Sequence, residues 1–203
     1  SRTRVDVDLG LDQRRKGLMW FPLYDVDFSG HWTVESPGGP GWIEFVFPFP
    51  DPNAGYDDFS FGLGESDVTQ VVEPRDGMVS HRIPMPAEGP VAFSVGYNSR
   101  GMGTWKYRPL MDVGRLADFQ VDMSTDFSDI DFPAYTLSPS DRVREGEGWK
   151  LSWHFSNVVT GHGIGMVMPQ RVQPGPLVAR MSFSAPISLG LFMIWIYALG
   201  VVK

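Results

Sequence analysis

The residues able to do chemistry in this chain are carboxylates and imidazoles. The stretch "VDMSTDFSDIDF" brings Asp122, Asp126, Asp129 and Asp131 close together in sequence, and "DPNAGYDD" offers Asp51, Asn53, Asp57 and Asp58. Paired carboxylates perform general acid–base work, and roughly six to eight oxygens hold a calcium ion. The first stretch has no glycine at the sixth position of a calcium loop. It reads as a solvated acidic loop that keeps a sheet edge from pairing with another sheet. The second suits Asx-turns, in which Asp and Asn bond their own backbone.

The four histidines are His31, His81, His154 and His162. His154 and His162 lie eight apart across a turn, close enough to share a metal, but no third ligand stands near them and the chain has no cysteine. His154 sits in an alternating "WHF" and is expected to be half-buried and hydrogen-bonded. Covalent catalysis finds no thiol and no Gly-x-Ser-x-Gly elbow. "GHGIG" (161–165) lacks the Lys-Ser/Thr of a phosphate loop and is expected to be a tight turn or bulge. No metal or other cofactor is expected, and no catalytic residue.

The elements that must position these residues are strands. Apolar and polar residues alternate in "TRVDVDL" (3–9), "YDVDF" (24–28), "WIEFVF" (42–47), "VAFSVGY" (91–97), "TWKY" (104–107), "FQVDM" (119–123) and "WKLSWHF" (149–155). Period-2 alternation puts one face in a core and one in water. Gly, Pro, Asn and Asp punctuate the intervals, as in "SPGGPG" (36–41), "PAEGP" (86–90) and "NSRGMG" (98–103). Short strands at such spacing predict an antiparallel β-sandwich or open barrel over residues 1–180. Trp20, Trp32, Trp42, Trp105, Trp149 and Trp153 mostly fall on alternating positions, so core packing is their expected role. "GLMWFPLY" (17–24) breaks the alternation. It is either deeply buried or an exposed contact patch through Leu18, Met19, Trp20 and Phe21.

Residues 181–202 carry no charge, between Arg180 and Lys203. At about 1.5 Å per residue they span roughly 33 Å, enough for a hydrocarbon core of about 30 Å. One transmembrane helix over 181–203 is therefore expected, starting near Pro186. "QPGPLVAR" (173–180) is expected to be a stiff linker. Trp195 and Tyr197 lie mid-span instead of at an interface, which directs Leu191, Phe192, Trp195 and Tyr197 toward a protein neighbour. The net charge of −7 and the lack of any basic run longer than "RRK" (14–16) exclude a nucleic-acid partner.

Several phrases resemble CreD-type bacterial inner-membrane proteins: "DQRRKGLMWFPLYDVDFSG" (12–30), "VFPFPDPNAGYDDFSF" (46–61), "VGYNSRGMGTWKY" (95–107), "TDFSDIDFPAYTLSPS" (125–140) and "MVMPQRVQPGPLVARMSFSAPISL" (166–189). The resemblance implies a β-rich extracytoplasmic domain with membrane helices before and after it, placed on the periplasmic side, and a link to envelope stress. It supplies no catalytic residues.

The expected function is non-enzymatic: a membrane-anchored periplasmic domain acting as an accessory, stabilising subunit of a larger inner-membrane complex. Its partners would be the lipid bilayer and other integral membrane subunits. The alternatives are a CreD-like envelope-stress protein and a metal- or carboxylate-dependent envelope hydrolase using Asp122 to Asp131 or the His154–His162 pair.

Overall fold

The structure is a computed structural model and describes residues 1–36, 38–86, 89–109 and 114–201. Parts of the expected turns at 36–41 and 86–90, and the last two residues of the expected helix, lie outside the described residues. The chain divides into two compact units. One comprises Ser1–Gln13 with Pro22–Pro169, and the other Arg14–Phe21 with Gln170–Lys203.

The first unit is built on an eight-stranded mixed sheet. Its strands are β1 (Arg2–Lys16), β2 (Met19–Glu35), β4 (Tyr56–Leu63), β5 (Ser66–Asp67), β7 (Pro90–Met102), β9 (Gly114–Thr125), β10 (Asp141–Glu145) and β11 (Gly148–Thr160), in the order β10-β11-β9-β1-β2-β7-β4-β5. The pairing of β1 with β9 is parallel, Thr3 opposite Phe119 through Leu9 opposite Thr125. Antiparallel pairs flank it, β11 with β9 and β2 with β7. Two short two-stranded antiparallel sheets complete the sandwich: β3 (Trp42–Pro48) with β6 (Met78–Pro84), and β8 (Thr104–Tyr107) with β12 (Ile164–Val167).

The alternation read from the sequence places the core. Val5, Val7 and Leu9 of β1, Val26 and Phe28 of β2, Phe119, Val121 and Met123 of β9, and Leu151 and Trp153 of β11 are all buried. Aromatic contacts join the large sheet to both small ones. Phe28 meets Phe47 at 5.6 Å and Tyr107 at 5.4 Å, and Phe93 stacks on Phe45 at 4.4 Å. Such pairs add about 0.5–1.5 kcal/mol each beyond the area they bury. Trp105 and Trp153 are core residues as expected, Trp20, Trp32 and Trp149 are half-buried, and Trp42 is exposed under Arg82 at 5.1 Å. The open edges are short and polar. β10 carries four charges in five residues and β5 is two residues long, which discourages edge-to-edge association.

Five strands were not legible from the alternation. β4 escapes because the Asp57–Asp58 pair sits at a register shift between Asp57 and Ser60, which interrupts the period. β5, β6 and β10 are short and weakly apolar. "GHGIG" begins as the expected turn after β11, with a bend at Gly161, and its last two residues, Ile164 and Gly165, open β12. A Cβ on Gly163 would lie 2.3 Å from the Tyr107 carbonyl oxygen, and one on Gly165 2.8 Å from that of Trp105. These glycines admit close approach of two backbones, with Ile164 and Met166 buried between them.

The second unit contains the tip of the β1–β2 hairpin and a single helix, α1 (Pro174–Val201), long and apolar enough to span a membrane. The helix begins before the expected boundary and absorbs most of the expected linker. Pro174 and Pro176 fall in its first turn, where backbone N–H groups have no partner within the helix and proline loses nothing. Pro186, read as a start signal, is inside the helix. Around it the hydroxyls of Ser184 and Ser188 donate to the carbonyls of Arg180 (3.0 Å) and Ser184 (3.2 Å). Pro186 itself leaves the Ser182 carbonyl without its helical N–H donor, a deficit that neighbouring helices, water or local adjustment make tolerable in membrane helices.

Candidate functional site

Three places in the molecule gather the residue types that sequence reading singled out. The first is the outer face of the large sheet. Where Val5, Val7 and Leu9 point inward, the alternate residues of β1 point outward, and the same holds along β2, β7 and β9. A cleft of about 620 Å³ results, lined by Asp8, Asp25, Asp27, Asp57, Asp58 and Asp126 with Asn98 and Arg100. Arg100 Nε donates to Asp25 Oδ1 at 2.7 Å, and Asn98 Nδ2 donates to Asp58 Oδ2 at 3.1 Å. Asp58 takes a left-handed backbone (φ 51°), which Asp tolerates better than most residues. The Leu11 N–H donates to Asp126 Oδ1 at 2.9 Å.

The sequence-level acidic stretch does not assemble into one site. Asp126 lines the cleft. Asp122 is half-buried and accepts from the Ser152 hydroxyl and from Gln120 Nε2, both at 2.7 Å. Asp129 and Asp131 are exposed in the segment after β9, where Asp131 Oδ1 accepts from the Phe132 N–H at 2.8 Å. In the other stretch Asp51 makes the expected Asx-turn, accepting from the Asn53 N–H at 2.9 Å. The cleft carboxylates missed in sequence are Asp8, Asp25 and Asp27, and Asn98 and Arg100 were missed with them. The signal was present in "VDVDL" and "YDVDF", whose aspartates alternate with core residues on strands that prove to be neighbours.

The histidines do not converge. His31 lies 3.4 Å from Ser29 Oγ on the outer face, and His81 packs its ring against Phe61 at 5.8 Å. His154 is exposed, contrary to the half-buried expectation, because it points from β11 to the outer face. Its N–H donates to Ser140 Oγ at 3.1 Å. His162 is exposed next to Tyr135. Among the described residues no group of three or more His, Cys, Asp or Glu is placed to hold a metal.

The second place is a smaller cavity of about 340 Å³ on the core side, lined by Tyr24, Tyr56, Tyr97, Ser99, Trp105 and Lys106 among others. Burial pushes the Tyr24 hydroxyl up to about 12, helped by Tyr56 and Asp51, and raises Tyr56 and Tyr97 as well. The Tyr56 hydroxyl donates to the Asp51 carbonyl at 2.8 Å. Tyr97 Oη and Trp105 Nε1 are buried, and among the described residues neither has a hydrogen-bond partner at standard geometry. Ordered water is the usual occupant of such a polar recess.

The third place is the second unit. At the hairpin tip Leu18 and Met19 are 64% and 53% exposed, so the exposed-patch alternative describes them. Trp20 and Phe21 are half-buried. The Trp20 N–H donates to Gln173 Oε1 at 3.0 Å, Gln173 Nε2 donates back to the Trp20 carbonyl at 2.6 Å, and the Arg171 guanidinium lies 4.5 Å over the Trp20 ring. Along α1 the side chains of Leu191, Phe192, Trp195 and Tyr197 are all exposed. At about 100° per residue Leu191, Phe192 and Trp195 share one face, and Tyr197 stands on the opposite side with Met193.

No family model and no curated protein matches the chain. Among solved structures it is similar to a protein from Legionella pneumophila described as nutrient-binding (11% identity, TM-score 0.43, covering 81% of this chain and 66% of that one). It is also similar to an M1 zinc metallopeptidase from Deinococcus radiodurans in two forms, at 11–12% identity and TM-scores of 0.43 and 0.46. Each covers 81% of this chain, which spans 41% of the peptidase. Likenesses this distant identify neither the fold family nor a function.

Proposed function

We propose that the chain is a non-catalytic β-domain anchored in a membrane by α1, serving as an accessory, stabilising subunit of a larger membrane complex. The observation that carries the reading is α1 itself. It has 28 residues, it is exposed from Val178 to Val201, and between Met181 and Val201 it bears no charge. A helix apolar on every side needs a covering on every side, which lipid or neighbouring helices supply. Leu191, Phe192 and Trp195 form the face assigned to a neighbouring helix, with Tyr197 free to meet a second neighbour or lipid.

Purification from native membranes in mild detergent tests the reading. A defined set of co-purifying membrane proteins at fixed stoichiometry is expected, and Trp195→Leu should lower their yield. A lone monomer would overturn the subunit half. Release of the chain by alkaline carbonate wash would overturn the anchor.

Periplasmic placement of the β-domain follows from the resemblance to CreD-type proteins. The basic residues ahead of the span pull the other way under the positive-inside bias. The chain has no cysteine, so a single cysteine at Val143, exposed on β10, reports the side. Labelling by an impermeant maleimide in intact spheroplasts supports the periplasm, and labelling only after lysis overturns it.

A further inference from the structure

We infer that the tip of the β1–β2 hairpin is a lipid-headgroup contact, in which Leu18 and Met19 enter the interfacial layer of an anionic bilayer while Arg14, Arg15 and Lys16 engage its phosphates. The inference rests on the membrane-anchor reading above.

The tip is a two-residue turn at Gly17 and Leu18. Gly17 has φ 62°, as the first central position of a II′-type hairpin turn requires, and Arg15 Nε donates to its carbonyl at 2.8 Å. Turn apices are normally polar. This one presents Leu18 and Met19 to solvent, immediately after three consecutive cations. Apolar apex and basic flank together are the composition that favours an anionic membrane surface.

The tip is also tied to the candidate span within one unit. Gln173 is the residue before Pro174, the first of α1, and its side-chain amide satisfies both backbone polar groups of Trp20. From Pro174 to Arg180 the helix rises about 10 Å before its uncharged stretch begins, which puts Gln173 at the outer margin of the roughly 5–8 Å polar layer flanking the hydrocarbon core. Trp20 with Arg171 over its ring adds an amphipathic pair of the kind enriched at that depth.

Charge singles out lipid. The unit contains Arg14, Arg15, Lys16, Arg171, Arg180 and Lys203 and no acidic residue, in a chain of net charge −7. Two exposed apolar side chains are too small a patch for a protein partner, which needs about 800 Å² on each side, but they suffice to dip into an interface that α1 already enters.

The test uses the full chain in vesicles of phosphatidylcholine and phosphatidylglycerol. Single cysteines at Leu18→Cys, Val143→Cys and Ile194→Cys carry an environment-sensitive fluorophore, and nitroxide lipids quench at headgroup or mid-chain depth. The Leu18 label should be quenched by headgroup nitroxide about threefold more than the Val143 label, and the Ile194 label by mid-chain nitroxide. Replacing Arg14, Arg15 and Lys16 by Gln should at least halve the Leu18 signal. Equal quenching at Leu18 and Val143 with Ile194 still quenched overturns the inference and spares the anchor. That is also the result if a protein partner, absent from these vesicles, is what covers the tip. No quenching at Ile194 overturns the anchor reading and this inference with it. Quenching at Leu18 that survives the triple substitution overturns the phosphate contact.

Discussion

The unit of hairpin tip and helix carries six basic and no acidic residues, which leaves eleven basic against twenty-four acidic in the β-unit. Their packing differs as much as their charge. The β-unit buries Val5, Phe61, Phe119, Val121, Leu151 and Trp153 completely, whereas the helix leaves Phe183, Trp195 and Tyr197 at 80%, 68% and 75% exposure. One unit satisfies its apolar residues internally and spends its carboxylates on solvation. The other leaves its apolar residues uncovered and keeps only cations. A single average over the chain conceals both, since −7 with 42% hydrophobic residues describes an ordinary globular protein. The lesson is that a helix long and apolar enough to span a membrane is legible in the distribution of charge and apolarity between units.

The largest effect expected on this contrast comes from the β-core. Trp153→Ala removes a fully buried indole whose Nε1 donates to the Leu137 carbonyl at 2.8 Å. It should cost about 3–5 kcal/mol in denaturant unfolding followed in detergent micelles. A cost below about 1 kcal/mol would show that the core is not packed as described. Gly148→Ala should rank next. The new Cβ would sit 1.6 Å from the Thr125 carbonyl oxygen, so β9 and β11 must separate where they pair. A loss of roughly 2–4 kcal/mol is expected from such overpacking against backbone, and an unchanged midpoint would refute the register.

A pH titration sharpens the comparison. Burial raises the hydroxyls of Tyr24, Tyr97 and Tyr107, so the folded state favours their neutral form. For Tyr24 the gain is complete below the unfolded value near 10 and disappears as pH rises through about 12. Stability of the β-unit should therefore hold to about pH 10 and fall steeply beyond it, with tyrosinate absorbance appearing together with unfolding. All three tyrosines belong to the β-unit, so the chain should stay in the vesicle pellet throughout. Tyrosinate absorbance rising fully before the unfolding transition would contradict the burial.

The smallest effect belongs to the tip. Leu18→Ser with Met19→Ser should move the unfolding midpoint by no more than about 0.5 kcal/mol in equivalent stability. A shift as large as that of a core variant would mean that these side chains pack inside the protein.

The strands with clean alternation were legible in the sequence because burial on one face of a sheet imposes period 2 regardless of what covers that face. "TRVDVDL" and "FQVDM" fall in β1 and β9, and "TWKY" is β8. The helix was legible because 22 uncharged residues leave few alternatives. Its start was not. Proline marks both a first turn and a membrane-helix interior, and only the backbone distinguishes Pro174 from Pro186. β4 and β12 were lost for local reasons, an extra polar residue at a bulge and glycines needed for backbone approach.

The amino-acid sequence by itself determined which residues face the core, where the uncharged helix lies and how unevenly charge is spread, because each depends only on neighbours along the chain. The tertiary structure alone decided what comes together. The parallel β1–β9 pair, the meeting of Asp25 with Arg100 across β2 and β7, and the tie between Trp20 and Gln173, 153 residues apart, all depend on strand order and chain return. Local periodicity carries no information about strand order, since every permutation of the same strands would alternate in the same way.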